Sequence, residues 1–181
     1  MSALAPDALA GLEVGYAGAQ QDAPAPTSAD GEGMRSLAGG LAELGARIAA
    51  DDAPVDLLLV PVDGEPSTAD GDSSPGRGAT DSLDAAATGA MAASLTAAFS
   101  AARDGAPRIR PGGCLVFVLS LADIAAHAAI TSLTRTLALE WAPDVRVNAI
   151  ACTRPADAVD LAALVAWRPS RTLTGAVLDA V

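Results

Sequence analysis

The chain has 181 residues, 51% of them hydrophobic, and a formal net charge of −11. That length suits one domain with a substantial core and is too short for two comfortable ones. All 11 basic residues are arginine, and an acidic chain without a basic stripe gains little from phosphate neutralisation, so nucleic acid and anionic membrane surfaces are excluded as partners.

Residues 1 to 33 are rich in Ala, Gly, Pro and Asp and read as mostly loop. Asp7, Glu13, Asp22 and Asp30 stand there without a basic residue, unlike the positive start of a secretory signal. No apolar run anywhere reaches the roughly 20 residues of a membrane-spanning helix, so the expected compartment is the cytoplasm. From Met34 to Ala50, Leu37, Leu41, Leu44 and Ile48 recur at intervals of three and four, which predicts a helix. Val55 to Val62 is a short apolar run bounded by Pro54 and Asp63-Gly64, the pattern of a parallel strand covered on both faces.

Residues 64 to 82 are polar and Gly-rich, a stretch expected to be loop or disordered. A helix follows from Asp81 or Ser82 to about Arg103, with Leu83, Ala87, Met91, Leu95 and Phe99 on one stripe and Gly105 and Pro107 as its stop. Cys114 to Leu119 reads as a second buried strand, about Ala122 to Trp141 as a long helix, and Asp144 to Ala151 as a third strand. After Pro155 come a helix through Leu161 to Ala166 and an edge strand within Leu173 to Val181. Helices and strands alternating at these spacings define a single α/β domain, a doubly wound parallel sheet with helices on both faces in three layers. Cys114 and Cys152 lack metal-ligand spacing and read as buried thiols.

The segment from Ala128 to Cys152, AAITSLTRTLALEWAPDVRVNAIAC, resembles the short-chain dehydrogenases/reductases, most of all their ketoacyl-reductase-like members. Leu137 to Glu140 and Arg146 to Asn148 carry the Leu-Ala-Leu-Glu and Arg-Val-Asn of that family. Val55 to Asp63 is similar to its fourth strand, Gly112 to Ser120 to its fifth, and Leu173 to Val181 to its closing Thr-Gly segment. The resemblance implies a Rossmann-like sheet whose first strand-helix units are reduced or lost, because the chain is shorter than the family and the deficit falls there.

The departures bear on function. Working members pair a tyrosine with a lysine four residues later, the phenol acting as acid or base. Here the matching positions hold Asp123 and His127, no lysine occurs in the chain, and the one tyrosine is Tyr16. A carboxylate cannot stand in for a phenol poised near neutral pH. Ser120 occupies the place of the family's first serine as a leftover, and the Asn-Asn-Ala-Gly after the fourth strand reads Pro61-Val62-Asp63-Gly64. Gly11, Gly15 and Gly18 are the nearest candidates for a dinucleotide loop, but no apolar strand precedes Gly11 and the third glycine is one residue late. They read as chance glycines.

Catalytic, cofactor-binding and metal sites are therefore expected to be absent. Asp123 and His127 share a helical face, but two ligands are too few for zinc. A triad of Ser120, His127 and Asp123 lacks the glycines of a nucleophile elbow. What the resemblance retains is the family's assembly surface, which implies an inactive partner of an active homologue in a heterotetramer, with NAD(P) bound by the partner. The expected interface comprises Ala87, Met91, Leu95, Ala125, Ala128, Ala129, Leu133, Leu137, Trp141 and Leu178. Two other readings stay open: an atypical enzyme using Asp123, His127 and Ser120, and a small-ligand-binding protein using the old substrate cleft.

Overall fold

The computed structural model describes residues 5, 7–17, 29–62, 79–121, 124–167 and 172–180, with the side chains of 29–32, 79–87, 90 and 125 outside that description. In chain order the elements are β1 (Glu13–Tyr16), α1 (Ala29–Glu43), β2 (Arg47–Ile48), β3 (Val55–Val62), α2 (Ala79–Gly105), β4 (Ile109–Ser120), α3 (Ile124–Glu140), β5 (Val145–Cys152), α4 (Val159–Ala166) and β6 (Val177–Ala180). Short 3-10 turns at Ala106–Arg108 and Pro155–Ala158 precede β4 and α4. Among the described residues all strand pairs are parallel, and the six strands lie in the order β2-β1-β3-β4-β5-β6.

Side-chain alternation along the central strands divides the core between the two faces of the sheet. Leu57, Leu59, Cys114, Val116, Val118 and Ile150 pack under Leu37 and Leu41 of α1 and Ala162, Ala163 and Val165 of α4. Leu58, Val60, Leu115, Phe117, Val147 and Ala149 pack on the other face under Ala98 and Ala102 of α2 and Ile130 and Leu137 of α3. Burial on both faces explains why β3 and β4 read as continuous apolar runs. The three layers and the Rossmann-like parallel sheet are those expected from the sequence.

The amino-terminal part differs in detail. The stretch read as mostly loop contains β1 and the start of α1, while residues 18–28 lie outside the description. β1 escaped notice because its four residues hold one large buried aliphatic, Val14, too few for a periodic signal. The helix expected from Met34 to Ala50 ends at Glu43. Gly45, at φ +93°, turns the chain out of the helix, and the amides of Gly45 and Ala46 close back on the carbonyls of Ala42 and Leu41. Ile48 consequently sits in β2, 46% exposed, instead of continuing the helical stripe. The first strand-helix unit is thus present in reduced form.

The connection from β2 to β3 is short. Residues 49–54 return the chain from one neighbour of β1 to the other, and Arg108, just before β4, fastens them. Its Nε donates to Ala53 O at 3.3 Å, Nη2 to Ala50 O at 3.2 Å and Nη1 to Tyr16 O at 3.1 Å. The guanidinium lies over Gly15, where a Cβ would meet Nη2 at 2.9 Å and Val55 Cγ1 at 2.8 Å. At the other edge, the Arg-Val-Asn segment holds the strand that follows. Asn148, fully buried, donates from Nδ2 to Leu173 O at 3.1 Å and accepts at Oδ1 from Ala176 N at 3.2 Å. Thr174 Oγ1 accepts from Val147 N at 3.1 Å, and Gly175 N donates to Val147 O at 2.7 Å.

Candidate functional site

In a doubly wound sheet a ligand is expected outside the carboxyl ends of the strands, at the point where strand order reverses. Here β1 continues to β2 on one side and the chain then crosses to β3 on the other, so that point lies between β1 and β3. Gly11, at φ +82°, stands in the turn before β1 and Gly15 stands inside it, so neither belongs to a loop following the strand. Gly18 lies outside the described residues. The positions of Gly11 and Gly15 do not fit a pyrophosphate-binding turn.

Ser120 ends β4 and is paired in register with Cys152 of β5. The alternation that puts Cys114, Val116 and Val118 on the α1–α4 face continues to Ser120. His127 belongs to α3, which packs on the opposite face through Ile130 and Leu137. Its Nε2 lies 3.6 Å from Asp179 Oδ1 on β6, with the two side chains 34% and 58% exposed. The carboxylate beside the imidazole is therefore one that sequence reasoning missed. The signal available was alternation along β6, where Val177 faces the α3 side and Asp179 follows two residues later. Asp123 lies outside the described residues. Ser120 and His127, both singled out from the sequence, stand at the end of β4 and in the first turn of α3.

Both cysteines are free thiols in buried positions, as the sequence suggested. Burial pushes the Cys114 thiol up to about 11, against the opposing influence of the Arg146 charge and the Asn148 hydrogen bond. Burial also raises Cys152, with Asp157 adding to it. Tyr16, the single tyrosine, is pushed up to about 12 by burial. It lies on β1, where its hydroxyl oxygen is buried without a hydrogen-bond partner among the described residues. No group of three or more metal-binding side chains occurs among the described residues.

The helices over β3, β4 and β5 present a different surface. On α3, Ile124 and Leu139 are 82% and 83% exposed, and Ala128 lies open on the same helical stripe between them. Ala129, Leu133 and Trp141 are half-buried, as are Met91 and Leu95 on α2, where Phe99 is 40% exposed. Leu178 on β6 is half-buried. Leu137, expected at an interface, is instead core at 1% exposure, because its position on α3 points to the sheet. The side chains of Ala87 and Ala125 lie outside the description.

Among the described residues, a six-stranded parallel sheet with helices on both faces defines an α/β chain of Rossmann-like fold. Residues 77–180 match the family described as short chain dehydrogenase-like protein, SDR-like, and the chain belongs to that family. Among solved structures it is similar to a putative short-chain dehydrogenase/reductase from Burkholderia xenovorans, with TM-score 0.64, 19% identity and 96% of each chain covered. It is also similar to the NADH-type enoyl-[acyl-carrier-protein] reductase of Aquifex aeolicus VF5, with TM-score 0.63, 17% identity and 95% of each chain covered. A Serratia marcescens short-chain dehydrogenase/reductase double mutant aligns with TM-score 0.60 and 16% identity over 95% of this chain and 96% of that one. At these identities the likeness is one of fold. No curated protein matches the sequence. Among the described residues no helix is long and apolar enough to cross a membrane.

Proposed function

We propose that this chain is a non-catalytic, cytoplasmic SDR-like subunit that assembles with an active homologous NAD(P)-dependent oxidoreductase and supports it in a hetero-oligomer. The observation that carries this reading is the amino-acid inventory itself. These 181 residues contain no lysine and one tyrosine, and that tyrosine lies on β1, far in sequence from α3. A phenol and an ammonium four residues apart on one helix cannot be assembled from such a chain. The positions of Gly11 and Gly15 support the same reading on the cofactor side. Weighing against the atypical-enzyme alternative, the carboxylate beside His127 is Asp179 of β6, at 3.6 Å, which is not a member of the set Ser120, Asp123 and His127. NAD(P) would be held by the partner, and the apolar stripe on α3 with Leu95 and Phe99 of α2 would form the contact between subunits.

The decisive experiment is to purify the chain at native expression level under gentle conditions and identify stoichiometric companions. The reading expects a homologous short-chain dehydrogenase of constant ratio to this chain, whose turnover or lifetime falls when this chain is removed. Recovery of the chain alone, with reductase activity of its own, overturns it.

A further inference from the structure

We draw no further inference here: the strongest candidate, the surface patch at the carboxyl end of α3 where the exposed Leu139 stands beside Glu140 and Asp144, belongs to the face already proposed for the partner, and nothing in the structure shows what else covers it.

Discussion

The Arg108 guanidinium occupies the space that a side chain on Gly15 would need, with Nη2 2.9 Å from the Cβ position. Val55 Cγ1, 2.8 Å from the same position, crowds it from the neighbouring strand. The same guanidinium caps three carbonyls, two of them in the turn that joins β2 to β3. Gly15→Ala should therefore destabilise the fold by about 1–3 kcal/mol through overpacking. Arg108→Ala should cost a similar amount, about 1–3 kcal/mol, by leaving backbone acceptors without their donor. In the double variant the losses should sum to less than their total, since removing the arginine relieves part of the clash. Urea midpoints of the four proteins check this, and strict additivity would show that the two residues do not compete for space.

Leu137 and Ala128 sit nine residues apart on α3 and should fail in opposite ways. Leu137→Ala leaves a cavity at a core position and should cost about 2–5 kcal/mol of stability in the isolated chain. Ala128→Arg adds a charge at an exposed position and should leave the isolated chain's melting unchanged. In the presence of the companion subunit it should abolish assembly, because volume and an unpaired charge enter a desolvated contact. Light scattering after size-exclusion chromatography reads the second effect, and normal assembly of the Ala128 variant would remove α3 from the interface.

Cofactor binding gives the simplest contrast with the family. Titration of the isolated chain with NADH and NADPH should give no heat of binding attributable to a dissociation constant tighter than about 10 μM, near −7 kcal/mol. A tighter constant for either nucleotide would show that the chain forms a phosphate-binding turn after all.

The two thiols predict a pH response. Cys114 holds its proton up to about 11 in the folded chain against 9.0 when unperturbed. Its contribution to stability is whole below pH 9 and is lost as the pH climbs toward that folded value, because the unfolded thiol ionises first. The loss should be on the order of 1–3 kcal/mol. Burial raises Tyr16 and Cys152 in the same direction. Denaturation midpoints measured from neutral to alkaline pH should fall, and Cys114→Ala should flatten the decline. Ellman's reagent at pH 7.5 should modify neither thiol without denaturant; rapid labelling of Cys114 would contradict its burial.

Asn148 is the residue through which the Arg-Val-Asn segment fixes β6. Asn148→Ala should cost about 1–3 kcal/mol, since the Leu173 carbonyl and the Ala176 amide lose their partner. Hydrogen exchange should quicken first in β6, and uniform protection across Val177–Ala180 in that variant would show that the backbone pairing alone holds the strand.

The sequence was legible where burial imposed a pattern. β3, with its eight-residue apolar run, was read to its boundaries, and α3 was displaced by only one or two residues, because each buries enough large side chains to show its period. β1 and β2 were not legible. They are short, Gly15 of β1 answers to contacts with residues far along the chain, and Ile48 imitated one more turn of helix. For the candidate site, the lack of any lysine and the single tyrosine were plain in the residue list. The partner of His127 was not, because Asp179 reaches it only through the pairing of β6 beside β5.

Ser120 stands at the exposed carboxyl end of β4, in line with residues that face α1 and α4, whereas His127 belongs to α3, which packs on the other face of the sheet. Seven positions of chain separate the two residues, and the carboxylate beside His127 comes from β6, far along the chain. Anyone grafting an activity onto this scaffold would therefore draw on neighbours in space: for Ser120 the paired Cys152 of β5, for His127 the Asp179 of β6. A library built by randomising neighbours in sequence alone would miss both of those positions.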